Sequence, residues 1–305
     1  MNKEEYEFWL ADRIAKIQAI NAQYDLEHNA YISFSGGKDS TVLHYLIDLA
    51  LPNNKIPRVY INTGVEYLDI VKFVKELATT DDRIVIYNSG VNLKKMWQEY
   101  GYPFKSKEHS QKVNDYKQGS RSASTLKYKA GGSFQCPSIL QYQYKDDFNL
   151  KISNKCCFKL KKEPVAKWQK ENNKTIALTG MLKEEGGQRN NLRCIVTDKD
   201  GNVKKFHPLA VVSKDWEEMF IEQNNVKLCR LYYPPFNFKR TGCRGCPYAL
   251  KLQDQLDALA IHLPKEAKLC EALFEPVYKE YRRLGYRLRK DGVYKQTTID
   301  EFLHD

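Results

Sequence analysis

Ala30-Tyr31-Ile32-Ser33-Phe34-Ser35-Gly36-Gly37-Lys38-Asp39-Ser40 runs from an apolar stretch of strand length into a glycine pair. From Thr41 to Ala50 the sequence is helical in pattern. A strand that turns on paired glycines straight into a helix is a natural anion site. The glycines let the backbone approach without Cβ obstruction, and the helix N-terminus points its free N–H groups at the ligand. Ser35 and Ser40 add hydroxyl donors and Lys38 adds a full charge. Asp39 is suited to holding Mg²⁺ or to capping loop amides. Lys38 and Asp39 are the candidate catalytic pair. The stretch is not a Walker A loop, which needs Gly-x-x-x-x-Gly-Lys-Ser/Thr.

Working outward, the strand–helix alternation repeats. Residues 3–22 read as a helix with Leu10, Ile14 and Ile17 on one face. Val59-Tyr60-Ile61-Asn62 reads as a second strand, leading through Thr63-Gly64 into a helix near 68–78. Residues 83–87 read as a third strand, followed by helix-compatible sequence. Regular patterning returns at Thr175–Gly180. This spacing implies βαβ units and an α/β fold: an open, mostly parallel sheet with helices on both faces, plus a C-terminal helical extension. Residues 1–235 form the expected nucleotide-binding domain, with an insertion at about 104–150 rich in Lys, Ser, Gln, Gly and Tyr. Residues 236–305 hold a Cys-x-x-Cys segment and two further helices.

The 305 residues carry 49 basic against 38 acidic side chains, a formal charge of +11. Basic density is high at 94–129, 151–174 and 278–295, which suits an anionic partner, nucleotide or nucleic acid, or a solvated lysine surface. No apolar run has the length of a bilayer span, and the first residues lack the pattern of a secretory signal. A cytoplasmic location without membrane contact is therefore expected; the oligomeric state stays open.

In a reducing compartment the eight cysteines point away from a disulfide framework. Cys156-Cys157 and Cys243-x-x-Cys246 form two pairs, and Gly242 and Gly245 permit the tight turn that lets two sulfurs face one centre. Four converging thiolates would suit a [4Fe–4S] cluster or tetrahedral zinc. Vicinal cysteines suit zinc less well, because their side chains diverge in extended chain. A redox dithiol at Cys243/Cys246 and inert buried thiols are the competing readings. Cys194, Cys229 and Cys270 read as packing residues and Cys136 as a loop cysteine with an exchangeable thiol or a packing role. Lys159, Lys161 and Lys162 either lend positive field to the centre or form a solvated helix face.

Ser35–Ser40 resembles the signature loop of the ATP-pyrophosphatase (PP-loop) superfamily, and the later landmarks resemble its phosphoadenosine-phosphosulfate reductase branch. Val59-Tyr60-Ile61-Asn62-Thr63-Gly64 resembles the branch's second-strand Asp-Thr-Gly motif, with Asn62 in place of Asp. Thr179-Gly180 through Glu184, Glu185 and Arg189 resembles its Gly…Glu…Arg loop, with Gly186 where many relatives carry Ser. His207-Pro208-Leu209 and Trp216 resemble its Pro-Leu…Trp segment. The resemblance implies an adenine nucleotide alpha hydrolase-like fold. Ser35, Gly36, Gly37, Lys38, Asp39, Ser40, Asn62, Thr63, Gly64, Gly180, Glu185 and Arg189 would lie around ATP, with Mg²⁺, or around an adenylated sulfate. Cys156-Cys157 with Cys243 and Cys246 resembles the cluster site of adenylylsulfate reductases. The family's nucleophilic tail cysteine has no counterpart among residues 297–305. Three functions follow as alternatives: reduction of a sulfate nucleotide, ATP-driven activation of DNA or tRNA for sulfur insertion with a sulfur-donor protein, and a non-catalytic nucleotide-sensing or nucleic-acid-binding module.

Overall fold

The structure is a computed structural model, described for residues 1–185 and 191–292. Its helices are α1 (Lys3–Tyr24), α2 (Leu26–Asn29), α3 (Lys38–Ala50), α4 (Leu68–Ala78), α5 (Leu93–Tyr100), α6 (Lys107–Lys117), α7 (Ala123–Ala130), α8 (Glu163–Glu171), α9 (Lys214–Gln223), α10 (Leu252–His262) and α11 (Pro264–Leu284). The strands are β1 (Ala30–Phe34), β2 (Arg58–Asn62), β3 (Ile84–Asn88), β4 (Ile176–Leu178), β5 (Ile195–Thr197) and β6 (Val203–Phe206). The contacts divide the chain into two units. The first holds Met1–Asn62, Leu68–Ser89 and Pro164–Thr241; the second holds Thr63–Tyr67, Gly90–Glu163 and the chain from Gly242 onward.

The first unit is built on a six-stranded sheet of order β3-β2-β1-β4-β6-β5. All neighbours are parallel except β5, which pairs antiparallel with β6 at the edge. Register sorts the side chains. Tyr31 lies opposite Ala177, Ser33 opposite Val59, and Val59 opposite Val85, so these share one face. Tyr31, Val59 and Ala177 bury that face against Trp168 of α8. Phe34 and Arg58 belong to the opposite face and meet His44 of α3, the rings of Phe34 and His44 lying 6.1 Å apart. The chain moves outward from β1 through α3 to β2 and through α4 to β3, so right-handed crossovers put both helices on that second face. It then returns past β1 to β4, which puts α8 on the first. Helices cover both faces, as expected of a doubly wound α/β sheet.

The strands were legible because they are apolar: Ala30, Ile32, Tyr60 and Leu178 are all buried. The short β5, Ile195-Val196-Thr197, is only half-buried at the sheet edge, and β6, Val203-Lys204-Lys205-Phe206, buries only its two ends.

The second unit packs α11 against α5 and against the segment just before α6. The Trp97 and Phe274 rings lie 5.0 Å apart and those of Phe104 and Tyr281 4.6 Å apart. The region expected to be part helix and part loop holds α6, α7 and a 3₁₀ stretch at Ser138–Tyr144. α6 and α7 are capped by Ser106 and Ser122, whose hydroxyls accept from the amides of His109 and Thr125. Within α11, Pro276 breaks the hydrogen-bond ladder and the backbone leaves helical geometry at Phe274.

Candidate functional site

In the first unit, β1 ends at Phe34 and α3 begins at Lys38, so Ser35–Gly37 is the whole connection. Gly36 has φ +69°, and a Cβ there would meet Val74 and Ile70 of α4 at 2.8 and 3.0 Å. Glycine is required on both counts. Ser40 Oγ donates to the Gly37 carbonyl at 2.9 Å and accepts from the Ser35 amide at 3.1 Å, which closes the loop on itself. Thr41 N–H is the first to find a helical carbonyl, that of Gly37. The amides of Asp39 and Ser40 lie in the first helical turn, where N–H groups have no intrahelical acceptor. Gly180, just past β4, packs so closely on this turn that a Cβ would collide with the Asp39 carbonyl.

Two further residues complete the loop, and neither was among the residues expected from sequence. Tyr232 Oη accepts from the Lys38 amide at 2.9 Å and lies 2.6 Å from Thr241 Oγ1. Glu217 of α9 holds the Lys38 ammonium, with Oε2 at 2.9 Å from Nζ. Burial pushes the Glu217 carboxyl up to about 7; Asp39 adds to this and Lys38 opposes it. Burial disfavours the charge on Lys38, but Glu217, Asp39 and Glu218 together outweigh it and the net shift is upward. Glu217 was hard to see because Lys214-Asp215-Trp216-Glu217-Glu218 reads as solvated helix. The available signal was spacing: Ser213, Trp216, Glu217 and Phe220 share one helical face, and Trp216 and Phe220 are fully buried.

Of the remaining predicted nucleotide residues, Asn62 ends β2 and bonds Asn88 Oδ1 at 2.9 Å. Thr63 and Gly64 belong to the second unit. The Thr63 hydroxyl donates to Glu66 at 2.6 Å, and the Gly64 carbonyl accepts from Arg244 at 3.2 Å. Glu185 closes a 3₁₀ turn from Lys183. Gly186 and Arg189 lie outside the described residues, as does the C-terminal stretch 297–305.

The second unit gathers the four candidate ligands. Cys156 and Cys157 open a helical segment whose next turn, Phe158–Lys162, is π-helical, an irregularity often found at functional sites. Their sulfurs are 4.0 Å apart. Cys243 and Cys246 lie on a turn closed by the Cys246 amide donating to the Cys243 carbonyl at 3.3 Å. The sulfurs of both pairs act on one another electrostatically. The Cys157 thiol is pulled down to about 6, first by the Cys156 hydrogen bond and then by Lys107, Lys161 and Lys162. Burial pushes Cys243 up, against the opposing charge of Lys161, and pushes Cys246 up to about 12.

The turn is held from all sides. Arg244 is buried, and its amide donates to the Val65 carbonyl at 2.9 Å while its guanidinium lies 3.5 Å from Glu266. Tyr278 donates to the Gly245 carbonyl, and Tyr281 and Arg287 to that of Pro247. Gly245 has φ +59°, and a Cβ there would fall 2.5 Å from Tyr278 Oη and 2.7 Å from Cys270 Sγ. Sequence showed that the glycine permits the turn; the structure adds that no other side chain fits.

Among the described residues, one trio of His, Cys, Asp or Glu ligand atoms lies within 4.8 Å of one another: His44, Asp48 and Asp81. Two arginines already neutralise it. Arg58 reaches His44 at 3.0 Å and Asp48 at 2.5 Å, and Arg83 reaches Asp48 and Asp81 at 2.8 Å. This is a structural ion network. Cys136, Cys229 and Cys270 are buried, and burial pushes Cys136 up to about 11.

Residues 29–130 and 135–249 match the phosphoadenosine phosphosulfate reductase domain. The chain belongs to this family. A curated relative, an uncharacterized protein of Methanocaldococcus jannaschii, is 31% identical over 103 residues, which are 31% of this chain and 25% of that protein. The chain thus spans about a quarter of the curated relative it matches. Among solved structures, it is similar to a phosphoadenylyl-sulfate reductase of Candida auris in a phosphate complex. That match has TM-score 0.44 and 18% identity, and covers 80% of this chain and 96% of the other. It is also similar to the U34-tRNA thiolase of Methanococcus maripaludis with its [4Fe–4S] cluster, with TM-score 0.40, 16% identity, and coverage of 92% and 80%. Yeast FAD synthetase in complex with FAD gives TM-score 0.43, 12% identity, and coverage of 90% and 85%. No helix among the described residues of this reductase-family chain is long and apolar enough to cross a membrane.

Proposed function

We propose that the protein is an adenine-nucleotide enzyme of sulfur transfer or sulfate-nucleotide reduction, using its Ser35–Ser40 loop to grip the phosphate or sulfate oxygens. The carrying observation is the first turn of α3. It sets the amides of Asp39 and Ser40, the Ser35 and Ser40 hydroxyls and the Lys38 ammonium at the end of a buried parallel strand. In this reading Lys38 and Asp39 act on the nucleotide, Asp39 serving Mg²⁺ when ATP is bound. By resemblance to the family, Asn62, Thr63, Gly64, Gly180, Glu185 and Arg189 would be the remaining nucleotide-binding residues. Residues 1–235 carry the nucleotide chemistry and residues 236–305 the second cysteine pair.

Cys156, Cys157, Cys243 and Cys246 would hold a [4Fe–4S] cluster. The donor set suits it: four sulfurs, two adjacent at the start of a helical segment and two on a glycine turn. Such a cluster supplies electrons or a site for sulfur. The chain's own contribution is Lys161, which bonds Cys243 and faces Glu66 at 3.8 Å, and so offsets thiolate charge. A reducing cytoplasm is where these thiols would stay available.

A second reading, ATP pyrophosphatase activity that activates DNA or tRNA for thiolation, is favoured by one surface. On α6, α7 and the turn between them, Arg121 lies 4.0 Å from the Tyr116 ring, Lys129 lies 4.3 Å from it, and Lys117 and Lys127 are exposed. Cations beside an aromatic ring suit a nucleic-acid backbone. A sulfur-donor protein would be the second partner.

The test is anaerobic purification, iron and spectrum, then ATP or an adenylated sulfate with assays for pyrophosphate and sulfite. Sulfite supports the reductase reading. Pyrophosphate without sulfite supports activation chemistry. Binding without turnover leaves a sensing module, and an iron-free, colourless protein removes the cluster.

A further inference from the structure

Lys38 is the sole cation in the loop sequence 35–40, and its ammonium is already engaged by Glu217 Oε2 at 2.9 Å. Glu217 is 1% exposed. Its other oxygen, Oε1, is buried without a hydrogen-bond partner. A carboxylate in that setting is costly to keep charged, and only a close cation makes it tolerable. Any anion gripped by the loop competes for that same cation.

We propose that Glu217 is the proton-accepting counter-ion of the loop: it holds Lys38 while the site is empty, and its carboxylate takes one proton from solvent when a polyphosphate draws Lys38 away. The inference rests on reading Ser35–Ser40 as an anion site, and it assigns Glu217 a positioning role. The balance is simple. Before binding, a carboxylate faces an ammonium. Afterwards the ammonium faces ligand oxygens, Glu217 is a neutral acid, and the proton has come from water or buffer.

The surrounding charges all favour this outcome. Besides Lys38, the charges acting most strongly on Glu217 are Asp39 from α3 and Glu218 from α9 itself, both negative. Helix α1, also packed on α9, presents Tyr6, whose hydroxyl is bonded to Asn224 and whose carbonyl accepts from Trp216 Nε1. With Lys38 withdrawn, the strongest remaining influences on Glu217, burial and the carboxylates of Asp39 and Glu218, all oppose its charge. Burial has already brought the carboxyl to about 7 with Lys38 in place.

The test is calorimetric titration of the full chain with α,β-methylene-ATP, in buffers of differing ionisation enthalpy. Wild type and Glu217→Gln are compared, so the probe's own protonation change cancels. The expected result is that wild type takes up more protons than Glu217→Gln. Its affinity, relative to the variant, then falls with rising pH above about 7, by up to about tenfold per pH unit. A second readout needs no variant: infrared difference spectra of wild type should gain a protonated-carboxyl stretch when the probe binds. Equal proton uptake in both proteins, or binding without that stretch, overturns the inference and leaves the loop's role intact. If wild type binds no probe, the reading of the loop fails and the inference falls with it.

Discussion

At the scale of single residues, Lys38 and Gly245 make opposite demands on the chain. Lys38 has a job only if an anion arrives, since its present partner Glu217 is itself poorly solvated. Hydrogen bonds to charged groups are worth about 1.5–3 kcal/mol, so Lys38→Ala is expected to weaken nucleotide binding by roughly 10- to 100-fold in equilibrium titrations. Gly245 is structural. Its φ of +59° and the crowding by Tyr278 and Cys270 make Gly245→Ala destabilising by about 1–3 kcal/mol, read as a lower denaturation midpoint. The loop residues were legible because strand, glycine pair and helix are contiguous in sequence. The pairing of Glu217 with Lys38 was not, because the two residues are far apart in the chain.

At the scale of elements, the contact of β4 with α3 positions the loop. Gly180 leaves room for the Asp39 carbonyl and lies close to the Ser40 amide. Gly180→Ala should therefore displace the first turn of α3 and lower nucleotide affinity more than it lowers stability, a split that binding and unfolding measured on one sample will show. The periodicity that revealed β1 to β4 failed for β5, which is only three residues long, and for β6, where two adjacent lysines separate the apolar ends. It also said little about α6 and α7, whose polar sequences are held by Ser caps and by Tyr128, buried beside His109.

At the scale of the whole molecule, three histidines among the described residues are buried: His44, His109 and His207. Burial pushes each down to about 4 from the ordinary 6.5, the nearby cations Arg58, Lys105 and Lys205 acting in the same sense. The unfolded chain therefore binds more protons between those values. Stability should be fully present above about pH 6.5 and decline as the pH falls toward about 4, which urea midpoints across that range will register. The α/β class was legible from alternating elements. The second unit, drawn from three separate stretches of chain, joins cysteine pairs more than eighty residues apart in sequence, a convergence that spacing suggests and only tertiary contacts produce.

The central claim is that the Ser35–Ser40 loop binds an adenine nucleotide through Lys38. Equilibrium binding of ATP and of adenosine 5′-phosphosulfate should be measured on the anaerobically purified wild type and on Lys38→Ala, with circular dichroism confirming that both are folded. The account predicts saturable binding of at least one nucleotide by wild type and a roughly 10- to 100-fold loss in the variant. Equal affinity in the two proteins, or no binding of either nucleotide by wild type, would contradict it.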